Sequence, residues 1–508
     1  MAVGSAAFLN EAINQLSEAY LRRKQQEMGE TIPHDEYTRE RQKVKMFIAD
    51  NNVFGVDLNP TAIELAEISL WLNTIYSTED KDGKRDEAFV PWFGLQLANG
   101  NSLIGARRET YATHLLLPQT GRGGNTPRWP KEAPAPRKYE PEASKSSTQE
   151  NLRASASLRE ATLRPADGVY HWLLGDPGMS KYDDPVITSL ARPQLDKFTT
   201  WRNSFVAPYE ESDLPELQAL STAADDLFRR HLEATERVRV ETTDTLTVWG
   251  QEADEPAAQN SQPRTSTHWK DKHWAKNIKH AYSPYSRLKL AMDYWCALWF
   301  WPIEKANLLP SRQQFLTEIG ILLGHIPGFT DAPEQGEFDR LVVEVQGHKI
   351  ELHKSELDLG GDNDTVVNTD KLCHDAEPNS DLPSTSKRLA LVRTIANERK
   401  FFHWELEYVD LFAERGGFDL ILGNPPWVKV EWNEGDLLSE RNPAFAIRKL
   451  SASQIAKARE EQLDQPKQRA AYFSEYSEFE GTQEFLNAAQ NYPLLAGQKA
   501  IRVNFRGW

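Results

Sequence analysis

The sequence predicts an α/β protein, a doubly wound sheet interrupted by a large helix-rich insertion. Three observations predict it. Short apolar stretches end at polar residues, at Asp57, at Asn101 and at Asn424, and the first is followed at once by a helix-start signal. A run of small residues that can open a helix, Val3-Gly4-Ser5-Ala6-Ala7, precedes all of them. Roughly three hundred residues separate the second stretch from the third, far more than a connection needs, so they fold as inserted domain material.

Taken in order, residues 8–30 read as a helix, with Phe8, Leu9, Ala12, Ile13, Leu16 and Tyr20 at helical spacing. Val53 to Asp57 reads as a short buried strand. Asn59 can cap the next helix with Pro60 in its first turn, and that helix runs through Ile63, Leu65, Ile68, Leu70 and Leu72. Residues 89–104 are apolar again and close on Asn99-Gly100-Asn101-Ser102-Leu103, so Asn101 is placed at a strand end. Residues 118–165 and 250–266 have linker composition, and 355–387 is acidic and loop-like. Residues 196–245 read as polar helix, and 283–325 is dense enough in Trp, Leu and Phe to form a core. Alternation over 340–353 predicts a hairpin around Gly347. Gly417 to Leu422 reads as a strand stopped by two prolines, and 445–490 as charged helix. The predicted division is 1–110, an inserted region 111–400, and 401–508.

Composition bounds the function. Of 508 residues 39% are hydrophobic and 10% aromatic, as in a globular protein rather than a disordered one. No apolar run approaches the about 18 residues of a membrane span, and no signal peptide is visible, so a cytoplasmic protein without a membrane partner is expected. Two cysteines, Cys296 and Cys373, cannot build a disulfide framework, and no metal site is expected. The net charge of −16 weighs against nucleic acid, but a basic groove can sit on an acidic protein.

The chemistry concentrates at Asn424-Pro425-Pro426-Trp427. Each proline fixes its own φ and restricts its predecessor, giving a rigid corner after a strand. The Asn424 side-chain carbonyl and the Pro425 backbone carbonyl are two acceptors suited to an amino group with two hydrogens. Holding both hydrogens draws the nitrogen lone pair towards an electrophilic methyl, and Trp427 offers a face on which an extruded base can stack. An ordinary turn with a packed tryptophan is the plainer alternative. Gly4, Ser5 and Phe8 open a helix where a backbone can approach a ligand. Asp57 and Leu58 end a strand where an acid can grip ribose hydroxyls. Asn101 and Ser102 stand where an adenine edge can be read. Singly, these read as packing, a capping acid and a turn asparagine; their order is what carries information.

The runs VGSAAFL (3–9), VFGVDLNPTAIELAEISLWLNTIY (53–76), NGNSLIG (99–105) and FDLILGNPPW (418–427) resemble the amino-methylating DNA methyltransferases of restriction-modification and phage-defence systems. The nearest look is to adenine methylases of the BREX (PglX-like) and DISARM types and to fused type IIG enzymes. MDYWCALWFWPI (292–303) and GTQEFLNAAQNYPLL (481–495) are also similar to theirs. The resemblance implies a Rossmann-like fold that uses S-adenosyl-L-methionine. It implies that Gly4, Ser5, Phe8, Asp57, Leu58, Asn101 and Ser102 bind cofactor, and that Asn424, Pro425, Pro426 and Trp427 form the catalytic loop. Its implied partners are double-stranded DNA with a flipped target base and other defence subunits. Two departures stand out. The Asp-Pro-Ala or Asp-Pro-Cys that usually precedes Gly-Ser-Gly is absent, and Ala6 replaces a glycine. The expectation is a chain truncated at both ends, lacking the first and later strands, whose activity suffers accordingly.

Within the insertion, His268, Lys270, Lys272, His273, Lys276, Lys279, His280 and Arg287, with Trp269 and Trp274, form a basic aromatic cluster suited to a nucleic-acid backbone. A solvated loop with packed tryptophans explains it at least as well. Asp339 with Glu344-Val345-Gln346 lacks the lysine of a nuclease site and reads as a charged hairpin face; Asp176-Pro177-Gly178 lacks the second proline and the ring of the catalytic corner and reads as a plain turn. The expected reaction is direct methyl transfer to N6 of adenine. Transfer to N4 of cytosine, a protein or RNA substrate, and a non-catalytic DNA-binding or assembly subunit are the alternatives.

Overall fold

A computed structural model of the chain describes residues 3–76, 93–118, 127–136, 164–242, 246–251, 278–281, 283–325, 340–345, 348–353, 357–359, 365–367, 369, 384–423, 432, 434, 453–454, 457, 459, 463 and 465–493. The first part is built on two short parallel strands. β1 (Gly55–Asp57) pairs with β2 (Leu97–Asn99), Gly55 opposite Leu97 and Asp57 opposite Asn99. Three helices precede and link them: α1 (Ala7–Met28), α2 (His34–Asn51) and α3 (Pro60–Thr74). α3 starts as the sequence predicts. Pro60 occupies its first turn, and the Asn59 side chain accepts the Thr61 N–H at 3.0 Å, satisfying a donor that the helix cannot.

Both faces of the strand pair are covered. On one, Ala6, Ile13, Ile63, Ala66 and Leu70 of the helices pack with Leu97. On the other, Val56 lies under an aromatic cluster of Phe54, Phe402, Trp404, Tyr408, Phe412 and Phe418. Its rings meet edge to face, as their quadrupoles favour: Phe402 and Trp404 at 5.0 Å and 84°, Tyr408 and Phe418 at 5.7 Å and 89°. The Tyr408 hydroxyl lies 3.1 Å from both the Gly55 and Gln96 carbonyls. Layers on both sides explain why β1 is buried at every residue rather than alternating.

The larger core is built on α6 (Pro284–Ala297). Between α1–α3 and α6 come β3 (Thr110–Ala112), which pairs antiparallel with β4 (Gly168–Tyr170), then α4 (Pro185–Phe205) and α5 (Leu214–Thr242). After α6 come α7 (Arg312–Leu323), the hairpin β5 (Arg340–Val345) and β6 (His348–His353), a second hairpin β7 (Leu357–Leu359) and β8 (Thr365–Val367), and α8 (Ser384–Arg399). Short helices α9 (Trp404–Glu407) and α10 (Val409–Arg415) and the long α11 (Pro466–Asn487) follow. Trp295, Trp299 and Trp301 are fully buried. Buried indoles need acceptors, and Trp129, Trp201 and Trp295 donate to the carbonyls of Gly175, Pro310 and Leu174. A buried ion pair, Arg388 with Glu318, ties α8 to α7, and Tyr294 of α6 donates to the same carboxylate at 2.7 Å.

The segment after α8 joins the two parts. Asn101 and Phe401 form a parallel bridge, Asn101 N–H donates to the Lys400 carbonyl at 2.6 Å, and Phe402 N–H donates to that of Ile104 at 2.8 Å. Residues 400–402 therefore continue the parallel order beyond β2. The approach is close enough to require glycine: a Cβ on Gly105 would stand 1.9 Å from the Phe402 carbonyl oxygen. Next to it His403 is fully buried. Its Nδ1 accepts the Ala106 N–H at 2.9 Å, so the proton sits on Nε2, 3.0 Å from Asp293 Oδ1. Lys289 of α6 bonds the same carboxylate and reaches the Phe401 carbonyl at 3.3 Å. Burial lowers the His403 pKa despite the bond to Asp293. Burial works to raise the Asp293 carboxyl, but Lys289 and His403 outweigh it and hold it low.

Four expectations are corrected. Residues 418–422 form no strand; Leu420, Ile421 and Leu422 are 70%, 50% and 48% exposed. A strand needs a neighbour for its peptide groups, and among the described residues none pairs here; only Phe418 is anchored, in the aromatic cluster. Where a doubly wound sheet is expected, the described residues show one parallel pair, β1 with β2, and the isolated Asn101–Phe401 bridge beyond it. β2 ends at Asn99, and Asn101 lies two residues beyond it. Part of the presumed linker is packed: Trp129 is fully buried, and Thr110 and Ala135 exchange backbone hydrogen bonds. The acidic stretch read as loop contains β7 and β8, and α8 begins within it at Ser384. The hairpin predicted over 340–353 is present. Among the described residues no helix is long and apolar enough to cross a membrane.

Candidate functional site

The carboxyl ends of β1 and β2 gather five of the residues singled out by sequence. Asp57 closes β1 and is 6% exposed. Its Oδ2 accepts the Gly4 N–H at 2.9 Å and its Oδ1 the Asn59 N–H at 2.8 Å. The acidic strand end and the small-residue helix start, 53 residues apart in sequence, are therefore one corner. Gly4 adopts φ +55, and among the described residues nothing lies within 4 Å of where its Cβ would be. Ala6, where the resembling family carries glycine, has φ +62, a conformation that costs an L-residue about 1–2 kcal/mol. Ser5 is exposed, and Phe8 and Leu58 expose 52% and 56% of their surface at this end.

Beyond β2, Asn101 turns its side chain to its own loop: Oδ1 accepts the Leu103 N–H at 3.1 Å, the turn role that was the plainer reading. The Ser102 carbonyl accepts from the Trp404 indole at 3.0 Å. Asn99 reaches across to β1, its Nδ2 donating to the carbonyls of Asp57 at 2.8 Å and Leu58 at 3.0 Å. Lys400 lies over the same edge, its Nζ donating to the Leu58 carbonyl at 2.9 Å and to Asn99 Oδ1 at 3.1 Å.

Asn99, Lys400 and Trp404 were not found from sequence. Asn99 stands two residues from the asparagine that was chosen. Lys400 and Trp404 flank the pair Phe401-Phe402, too short an apolar run to register as a strand without its neighbour. Asn424, Pro425, Pro426 and Trp427 lie outside the described residues, which end on this side at Gly423. Lys270, Lys272 and Lys276 also lie outside them. Lys279 pairs with Glu407 at 3.4 Å and sits over the Tyr285 ring at 4.9 Å. Arg287 is buried, 4% exposed, and donates to the Leu322 carbonyl at 2.8 Å. These last two face the protein's own groups. Asp176 of the decoy turn accepts the Gly178 N–H at 2.7 Å; burial first, and Glu484 beside it, push its carboxyl up to about 7.

The arrangement suits a nucleoside. A carboxylate with one N–H on each oxygen keeps a lone pair on each for two vicinal hydroxyls. A glycine peptide and exposed apolar side chains border it, at the carboxyl ends of parallel strands where α/β sheets bind ligands.

Residues 303–479 match the family described as Eco57I restriction-modification methylase. A protein of Methanocaldococcus jannaschii named as a type II restriction enzyme and methyltransferase is 32% identical over 109 residues, 20% of this chain and 8% of that relative. The chain therefore spans only a small part of the relative's length. No solved structure matches. By these matches residues 303–479 are similar to the Eco57I restriction-modification methylases, and Asn424-Pro425-Pro426-Trp427 lies inside that segment.

Proposed function

We propose that the protein transfers the methyl group of S-adenosylmethionine to the exocyclic N6 of adenine in double-stranded DNA, in restriction-modification or phage defence. The observation that carries this reading is the Gly4–Asp57 hydrogen bond. It joins two of the sequence elements implicated in cofactor binding into one corner, in a chain whose methylase segment contains the Asn-Pro-Pro-Trp run. The corner suits an adenosine: the Asp57 carboxylate has lone pairs to spare, and no described residue crowds Gly4.

Asp57 accepts the ribose hydroxyls, Phe8 and Leu58 supply apolar surface, and the Asn99–Ser102 loop borders the base. S-adenosylmethionine, when bound, supplies an electrophilic methyl. Asn424 and the Pro425 carbonyl hold the amino hydrogens of a flipped adenine, and Trp427 stacks on its ring. Lys270, Lys272 and Lys276 serve the DNA backbone. In this reading β1 and β2 belong to a Rossmann-like sheet, residues 1–110 and 401–508 form the methyltransferase, 111–400 is inserted, and the protein works in the cytoplasm.

The test is transfer of labelled methyl from S-adenosylmethionine to unmethylated DNA by the protein expressed from its native gene, followed by nucleoside analysis. Label in N6-methyladenosine, lost in Asn424→Ala, is the expected result. Label in N4-methylcytidine would move the target to cytosine. No label with wild type would leave a non-catalytic subunit.

A further inference from the structure

Lys400 is the residue at this site that neither the sequence motifs nor the proposed mechanism accounts for. It follows α8 at φ +53, in the left-handed region where a lysine is held only by its surroundings. Two sets of contacts hold it. Its carbonyl accepts the Asn101 N–H at 2.6 Å. Its ammonium donates to the Leu58 carbonyl at 2.9 Å and to Asn99 Oδ1 at 3.1 Å. The chain is thus bent so that a cation lies across the carboxyl ends of β1 and β2, one residue from Asp57 on one side and two from Asn101 on the other.

Both acceptors are neutral, and among the described residues no carboxylate pairs with Lys400. An ammonium has three hydrogens, and these contacts use two. Asparagine or glycine would fill a left-handed position more easily, and an uncharged amide could serve two carbonyls. The charge is the feature that local structure leaves unexplained. It stands against Leu58 and Asn99, at the edge that the proposed function sets beside the base. An adenine presents ring nitrogens whose lone pairs can accept from an ammonium.

We propose that Lys400 binds the cofactor, donating its remaining hydrogen to a ring nitrogen of the adenine of S-adenosylmethionine. This rests on the reading of the Gly4–Asp57 corner as the adenosine site. Contact at the base rather than the methionine end means that the sulfonium charge is irrelevant to it. Loss of Lys400 therefore weakens S-adenosylmethionine, S-adenosylhomocysteine and methylthioadenosine by one common factor.

The test is calorimetric titration of the native protein, Lys400→Met and Asp57→Ala with those three ligands and with the 1-deaza, 3-deaza and 7-deaza analogues of S-adenosylhomocysteine. The expected loss in Lys400→Met is about tenfold or more for each natural ligand, the value of a charge-assisted hydrogen bond. One deaza analogue binds wild type more weakly by a similar factor, and Lys400→Met no longer distinguishes it from its parent. That coupling separates contact from a merely structural role, which would weaken all ligands while keeping the discrimination. Binding by Lys400→Met equal to wild type, or discrimination retained in it, overturns the inference; if Asp57→Ala binds weakly at the same time, the adenosine site itself stands. If wild type binds none of the ligands, or Asp57→Ala binds as wild type does, the reading of the corner fails and this inference with it.

Discussion

The tight contact between Gly105 and Phe402 gives a sharp mechanical prediction. A methyl added at Gly105 would stand 1.9 Å from the Phe402 carbonyl oxygen and 2.7 Å from its carbonyl carbon, both backbone atoms that no rotamer change can move. To accommodate it, residues 400–403 must part from residues 101–105 by about 1 Å. The Phe402–Ile104 and Asn101–Lys400 hydrogen bonds, now 2.8 and 2.6 Å, then exceed hydrogen-bonding range. Two bonds at about 1 kcal/mol each, with overpacking strain of about 1–3 kcal/mol, give a loss of about 3–5 kcal/mol for Gly105→Ala. The seam opens locally, so amide hydrogen exchange is the right assay. Losing the two bonds alone speeds exchange at Asn101 and Phe402 by about thirtyfold. Wild-type protection at both amides, with an unchanged melting temperature, would refute the reasoning that this seam holds the site together.

Two further perturbations follow from buried charge. Arg388→Met leaves the Glu318 carboxylate, whose side chain is 1% exposed, without its cation, and should cost about 3–5 kcal/mol by denaturant titration; a loss below about 1 kcal/mol would contradict the pairing. Burial lowers the His231 pKa to about 4, so the folded protein keeps this ring neutral where the unfolded chain takes up a proton. Stability from this group is complete above its ordinary 6.5 and is lost as pH falls towards 4, by about 2 kcal/mol at pH 5. His231→Gln, which keeps a donor for the Leu406 carbonyl, should lose that much less between pH 7 and 5; an identical acid loss in both proteins would show that His231 does not titrate this way.

Local chemistry was legible in the sequence where one segment sufficed. The Asn59-Pro60 start of α3, the hairpin across 340–353 and the core density of 283–325 follow from neighbours within a few residues. Asp57 stands out because an acid at a strand end is conspicuous. What failed depended on partners distant in sequence. Residues 418–422 have the composition of a strand, but composition does not supply the neighbouring backbone, and Leu420 to Leu422 lie exposed. Residues 400–402 look like a loop after a helix and yet lie parallel to residue 101, because Gly105 permits an approach that only the folded chain reveals. The same cause separated Asn99 from Asn101. Alternation cannot say at which of two nearby asparagines pairing stops, and it is Asn99 that spans the two strand ends.

The central claim is that the Asn424–Trp427 corner and the Gly4–Asp57 corner face one pocket. The measurement that tests it most directly is a crystal structure of the native protein with S-adenosylhomocysteine and a DNA duplex. The account predicts ribose hydroxyls against the Asp57 carboxylate, and an extruded adenine between the sulfur and the Trp427 ring. Density for the cofactor elsewhere, or Trp427 packed into the core away from Gly4, would contradict it.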